Sequence, residues 1–479
     1  MTQHIELMIP GAESGAAPLK VHAPYDNELL ATVDTADAAA VEQALTTAYA
    51  LFRNRKTWLS RAERIDILHN TAALMRAQRD ELALAAAAEG GKPLMDSRVE
   101  VDRAIDGIDN CIECLRTSAG REIPMGINAA SMGRLAVTQH EPIGVVVAVS
   151  AFNHPLNLIV HQVGPALAAG CPVIVKPAQE TPLSCFRLVE LLRAAGLPDA
   201  WCQPLVVADL DVATQLVTDQ RVGFFSFIGS ARVGWMLRSK LAPGTRCALE
   251  HGGVAPVIVT EDADLDAALP LLTKGGFYHA GQVCVSVQRV FCHQTIAHRV
   301  AEGLAGLANK LVVGDPVNAK TEVGPLIRTA EVTRVHAWVT QAVELGAKLL
   351  CGGKALSKSC YAPTVLLNPP HDADVSQQEI FGPVVCVYSY ATVDEAIAWA
   401  NLLPFAFQAA VFTDRLDTAL HCYRNLDASA VMVNDHTAFR VDWMPFAGLR
   451  QSGLGTGGIP YTFHDVQVEK MLVVKSAAL

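Results

Sequence analysis

Long apolar runs are missing from this chain. No stretch of its 479 residues reaches the roughly 18 consecutive apolar residues that a membrane-crossing helix needs, so no membrane association is expected. Basic runs are missing too. The formal net charge is −10 with histidine neutral, which argues against nucleic acid or an anionic membrane surface as a partner. The opening MTQHIELMIPGAESG has no basic segment followed by an apolar one, so a secretory leader is not expected. Twelve cysteines then read as the reduced thiols of a cytoplasmic protein rather than a disulfide framework. Cys111 and Cys114 form a CxxC, but no second CxxC or nearby His completes a tetrahedral set. No metal is expected, and packing on a helix accounts for the pair. The strict dinucleotide fingerprint GxGxxG is absent, as are internal repeats and low-complexity segments.

Charge is sparse. Only 18% of residues are charged and 51% are hydrophobic, with a mean hydropathy of +0.25. That surplus points to apolar surface buried between subunits, a homo-oligomer, dimer or tetramer. The length exceeds what a single core usually supports, so two or three domains are expected.

The period of the apolar residues changes along the chain. From Asp34, DTADAAAVEQALTTAYALFRN carries a capping residue and helical spacing. RAERIDILHNTAALMRAQRDELALAAAAEGG reads as one long helix stopped at Gly90–Gly91, and a third helix is predicted over 95–119. Residues 120–142 break the period and read as an extended arm. Short β-branched runs then alternate with helical segments: PIGVVVAVSAF, PLNLIVHQVGPALAAG, CPVIVKPA, a helix capped by Thr181, and RVGFFSFIGS. Strand–helix–strand order with short connections predicts a doubly wound parallel sheet. After Glu250, VAPVIVT, CVSVQRVFC, APTVLL, PVVCVYSY and QAAVFT read as strands of a second α/β unit. The tail YTFHDVQVEKMLVVK reads as an edge strand.

Two features carry chemistry in this layout. Gly229–Ser230 stands where a strand runs into a helix, a place where free N–H groups hold a phosphate or where a serine simply caps. Cys284, in GQVCVSVQR, is either a buried thiol packed as a small hydrophobe or a nucleophile. The residues at that point leave both readings open.

Seven stretches in order decide it: SAFNHP around Asn153, VKPAQE around Lys176, FIGSARVG around Gly229, LEHGG around Glu250, GQVC at Cys284, EIFGPV at Glu379, and PFAGLRQSGLG from Pro445. Together they resemble the aldehyde dehydrogenase superfamily over essentially the whole chain. AFNHPLNLIVHQ, LEHGG and GGIPYTF are similar to its lactaldehyde-type and phosphonoacetaldehyde-type branch.

The resemblance implies an α/β fold: a Rossmann-type doubly wound cofactor domain (1–119 and 143–249), an α/β catalytic domain (250–442) and a small β oligomerisation arm (120–142 and 460–479). It implies oxidation of an aldehyde to the acid with NAD or NADP, through a thiohemiacetal and thioester on Cys284. Asn153 would stabilise the oxyanion, and Glu250 would activate water. The cofactor would meet Ser150, Ala151, Phe152, Lys176, Gln179, Gly229, Ser230, Leu249, Glu379 and Phe381.

Several positions depart from the family pattern. Gln179 stands where a carboxylate would repel a 2′-phosphate, so NADP is tolerated. Gly457 stands where many relatives have a second glutamate, leaving Glu250 alone. His251 either tunes that base or packs as a hydrogen-bonded side chain. Arg103, His154, His161 and Arg440 are candidate substrate contacts for a small anionic aldehyde; the alternative for the two arginines is surface salt bridges. Val283 supplies no positive group, which weakens the phosphonate version. A CoA-acylating relative would tend to lack Glu250, and a non-catalytic cofactor-binding protein of the same fold would tend to lack Cys284 or its partners.

Overall fold

VVVAV, VIVK and VGFFSFI are apolar almost throughout, the pattern of strands covered on both faces rather than one. In the computed structural model, which describes residues 3–15 and 17–479, they lie side by side. The first sheet has six strands in the order Gly453–Leu454, Arg246–Glu250, Val222–Ile228, Val145–Val149, Val173–Lys176, Cys202–Pro204. All neighbours are parallel except the first pair. Alternation along a strand sends successive side chains to opposite faces. Val146 and Ala148 join a core with the Leu94–Thr117 and Asn157–Ala169 helices, while Val145 and Val147 join a separate core with the Ala38–Arg53 helix. This is a doubly wound sheet.

The second sheet has seven strands: Lys348–Cys351, Thr364–Leu367, Val384–Tyr390, Arg289–His293, Pro256–Val259, Gln408–Phe412 and Ala430–Val433. It is parallel apart from the first pair and has its own large core. A third, antiparallel sheet pairs Arg134–Pro142 with Gln467–Lys475 along nine residues of each, with Glu122–Ile123 on the far edge. Met471, Leu472, Val473 and Val474 are exposed on it. No helix among the described residues is long and apolar enough to cross a membrane.

Local signals are displaced from their predicted places in five instances. The first helix is capped by Asp37, whose side chain accepts from Ala40 N, and not by Asp34. The long second helix is two, Arg61–Ala77 and Arg79–Gly90, broken at Gln78; Gly91 closes the latter in the left-handed region, φ 73°. Thr181 does not cap the Leu183–Ala194 helix. Its hydroxyl donates to Phe152 O, and the buried carboxylate of Glu89 receives the helix-start N–H groups of Leu183 and Ser184 at 2.8 Å. The tail begins with a helix, Ile459–Asp465, because Pro460 fits its first turn and Ile459 and Phe463 bury on one face. Finally, CVSVQ is not strand. The strand begins only at Arg289, and Val283 and Val285 pack with Phe407 and Phe446 from a turn.

Candidate active site

Two strand ends and two loops meet at a cavity of about 370 Å³. Asn153 follows the Val145–Val149 strand, and Glu250 ends the Arg246–Glu250 strand. Cys284 comes from the second unit, just past a 3₁₀ turn over Tyr278–Gly281, where His279 and Ala280 hold φ of 48° and 54°. Two consecutive non-glycine residues in the left-handed region store strain beside a reactive group. Gly281 is also positive, and a Cβ there would stand 2.1 Å from Gly382 O.

The cavity is lined by Cys284, Asn153 and Glu250 together with Ser150, Ala151, Phe152, Gly229, Ser230, Glu379 and Phe381 of the expected cofactor set. Arg103, His154 and Arg440 of the expected substrate set line it too. Four expected residues do not. Leu249 is buried in the apolar core. Lys176 is largely buried at its strand end, its ammonium destabilised by burial. Gln179 lines a neighbouring groove and donates to Val207 O at 2.8 Å. His161 lies behind the cavity, its Nε2 2.6 Å from Asp442 Oδ1.

Asn153 Nδ2 donates to Gln282 O at 2.9 Å, which ties the amide to the backbone two residues before Cys284. The other N–H of the same group remains for an oxyanion. The Cys284 thiol is held well above its ordinary value, chiefly by burial and then by the nearby Glu250; Arg440 opposes this. Burial raises the Glu250 carboxyl, again with Arg440 acting the other way. Burial thus favours the neutral form of both groups, and a carboxyl raised in this way is suited to act as a base near neutral pH.

His251 settles as a packed side chain. Its Nδ1 donates to Gly229 O at 2.8 Å, and its ring stands edge-on to Phe227 and Trp235.

The cofactor side fits its expected occupant. The Ala231–Arg238 helix starts at Ser230 with no side-chain cap; Val233 N donates to Ser230 O, and the N–H groups of Ala231 and Arg232 are left for a ligand. Ser150 Oγ is buried without a partner on the cavity wall. Glu379 accepts from Gly253 N at 3.2 Å, and burial pushes its carboxyl up to about 8. A Cβ on Gly252 would stand 1.7 Å from Glu379 Oε1, so glycine is required for that carboxyl to sit there.

The two arginines differ. Arg103 is committed to a carboxylate: its Nε and one terminal nitrogen donate to Asp442 at 3.0 and 2.7 Å. Asp442 also receives Asn157 Nδ2 at 3.2 Å, and its carboxyl is held far below the usual range. Arg440 is 9% exposed, lies over the Phe446 ring at 3.6 Å and has only distant polar partners: Glu250 Oε1 at 3.6 Å and His161 Nδ1 at 3.4 Å. Its Nε has none. Arg103 is thus held in a salt bridge, as the alternative had it, though a largely buried one, whereas the pairing of Arg440 with Glu250 is long.

Three participants were not legible in the sequence: Lys92, Glu100 and Asp442. Lys92 and Glu100 pair at 2.5 Å with neither side chain exposed. Lys92 Nζ also reaches His154 Nδ1 at 2.7 Å. An ammonium only donates, so His154 is neutral with its Nε2–H left for the cavity it lines.

The sequence profile of the aldehyde dehydrogenase family matches residues 11–472. The chain belongs to the aldehyde dehydrogenase family. It is 37% identical over 462 residues to the 3-sulfolactaldehyde dehydrogenase of Priestia megaterium, 96% of each chain being covered. Among solved structures it resembles aldehyde dehydrogenase 21 from Physcomitrella patens in complex with the reaction product succinate. That match has a TM-score of 0.95, 33% identity, and coverage of 100% and 99%. It also resembles glyceraldehyde-3-phosphate dehydrogenase from Methanocaldococcus jannaschii complexed with NADP, with a TM-score of 0.91, 33% identity, and coverage of 96% and 100%. This aldehyde dehydrogenase is an NAD(P)-dependent enzyme of the lactaldehyde-type branch that oxidises an aldehyde to the carboxylic acid.

Proposed function

We propose that the substrate is a small aldehyde whose far end carries a carboxylate or sulfonate, held by Arg440. The observation that carries this is a buried guanidinium, under-partnered and lining the same cavity as Cys284, Asn153 and Glu250. Arg103, already bidentate on Asp442, contributes field rather than a free fork. The names of the relatives support the same class: 3-sulfolactaldehyde carries a sulfonate, and succinate is a carboxylate product.

The roles follow from the geometry. Cys284 releases its proton to solvent, and the thiolate adds to the carbonyl carbon. The oxyanion formed is met by Asn153 Nδ2 and the Cys284 backbone N–H, preorganised donors of the kind that dominate such steps. NAD(P), when bound, accepts the hydride. Collapse of the oxyanion leaves a thioester on Cys284. Glu250 then removes a proton from water as it attacks the acyl carbon, the C–S bond breaks, and Cys284 is regenerated. Gly229, the free N–H groups after Ser230, Glu379 and Phe381 would hold the cofactor, with Lys176 and Gln179 at its adenosine end.

We assign 1–119 and 143–249 to the cofactor domain, 250–442 to the catalytic domain, and 120–142 with 460–479 to a homo-oligomerisation arm, supported by its exposed apolar strand. A cytoplasmic setting is supported by twelve free cysteines.

The test compares kcat/KM for aldehydes ending in carboxylate or sulfonate with that for neutral isosteres, in wild type, Arg440→Leu and Cys284→Ala. Anionic aldehydes should lead, Arg440→Leu should erase the lead, and Cys284→Ala should be inactive. Equal rates on neutral aldehydes in the wild type would remove the anionic class. Glu250→Gln should give a burst of reduced cofactor and then stall; a normal steady state would remove the base.

A further inference from the structure

Glu250 has a single side-chain partner among the described residues, the guanidinium of Arg440 at 3.6 Å. On its other side stands Gly457, where an added Cβ would lie 3.2 Å from Glu250 Oε2, so no second side chain shares the load. Arg440 has no stronger commitment: its Nε is orphaned and its contact to His161 is long. The same guanidinium faces the cavity that receives the substrate.

We propose that Arg440 is a positioning residue that couples the charge of the substrate to the base: at rest it holds Glu250, and the anionic end of a bound substrate draws it away. The inference rests on the anionic-substrate reading above. It adds that the substrate switches on its own deacylation.

The surroundings support a two-way choice. Arg103 and Asp442 neutralise one another, and His161 sits between Asp442 and Arg440 with its ring pushed down to about 4, hence neutral. His154, held by Lys92, is likewise neutral, as burial keeps its ring far below the ordinary range. His251 faces away from Glu250 onto Gly229 O. Around the cavity stand also Cys284, a buried thiol, Glu379, a carboxyl raised by burial, Tyr278, a phenol kept neutral by burial, and Arg328, which pairs with Glu331 at 3.0 Å; Asp465 lines the small pocket that Glu250 also lines. The charge most able to hold Glu250 ionised is therefore Arg440. An opposite charge at this range lowers a carboxyl by roughly 1–3 pH units. With Arg440 engaged by a carboxylate or sulfonate, Glu250 regains that shift and becomes the stronger base. With a neutral acyl group it stays paired, weaker and displaced toward Arg440.

The experiment follows reduced cofactor after rapid mixing with 4-oxobutanoate or butanal across pH. The burst reports acylation and hydride transfer; the slower phase reports deacylation. Deacylation rises as Glu250 loses its proton, so a higher carboxyl value moves the ascending limb to higher pH. In the wild type the limb for 4-oxobutanoate should lie roughly 1–3 pH units above that for butanal, with a higher plateau. In Arg440→Leu the butanal limb should move up and the gap close. Arg440→Lys, which keeps a cation, should reopen it and guards against misfolding as the explanation. A wild-type gap of zero, or a gap that persists unchanged in Arg440→Leu, overturns the coupling. The substrate reading is judged separately from kcat/KM in the burst: a preference for 4-oxobutanoate with no limb gap overturns the coupling alone. Absence of both overturns the two together.

Discussion

Removing the charge of Lys92 tests how the substrate-facing turn is held. Lys92 and Glu100 are both 0% exposed and meet at 2.5 Å. At an effective dielectric of about 20, that separation gives a gross attraction of about 6–7 kcal/mol, most of which offsets the desolvation of two buried charges. Lys92→Met leaves the Glu100 carboxylate buried and alone, at a cost of about 3–5 kcal/mol. For a cooperative unit the size of the cofactor domain this lowers the thermal midpoint by roughly 6–20 °C. Glu100 has a second duty: its Oε1 accepts from Leu156 N at 2.9 Å and Asn157 N at 3.0 Å, at the start of the helix that follows Asn153. The double variant Lys92→Met/Glu100→Gln keeps an oxygen for those two N–H groups while removing the orphaned charge. It should therefore regain most of the lost midpoint. Activity should not return with it, because His154 has lost the donor that fixes its tautomer. Scanning calorimetry at one scan rate, with kcat/KM on the same samples, reads both quantities. A single variant as stable as wild type, or a double variant no better than the single, would refute the reasoning.

Three shorter expectations follow from the same geometry. Asn153→Ala should lose about 100- to 1000-fold in turnover, the usual effect of deleting one oxyanion donor, and near-normal kcat would remove that role. Gln179→Glu should shift preference from NADP toward NAD by at least about tenfold in kcat/KM, since a carboxylate beside a 2′-phosphate repels it; an unchanged ratio would place the adenosine elsewhere. Gly252→Ala puts a methyl group 1.7 Å from Glu379 Oε1, so Glu379 must swing away. Cofactor KM should rise while Cys284 still reacts with a thiol reagent at the wild-type rate; an unaltered KM would separate Glu379 from the cofactor.

The parallel sheets were legible because strands buried on two faces leave continuous apolar runs, and the place of Cys284 on the cavity wall because GQVC belongs to an ordered set of motifs. What escaped was long-range. Asp442 gathers Arg103, Asn157 and His161 from more than 280 positions away, and no periodicity announces such a partner. Nothing in the sequence marks Lys92 or Glu100 as buried, since isolated Lys and Glu seldom bury. Thr181 failed as a cap for a related reason: a carboxylate brought in from Glu89, distant in sequence, competes better for helix N–H groups than a local hydroxyl. The turn at Cys284 was hidden by its valines, which alternate like a strand yet pack from a loop.

The hydrogen bond from Asn153 to Gln282 O joins a residue that follows a first-sheet strand to the loop that carries Cys284, and Arg440 reaches Glu250, the last residue of another first-sheet strand. On the proposed roles, the amide and the base stand at the end of one sheet and the thiol beside the other, so neither sheet alone carries a working set. The arrangement acts as an interlock: an aldehyde that meets Cys284 in a chain whose two cores have parted finds neither an oxyanion donor nor a base for deacylation, and turnover then reports that the cores have come together.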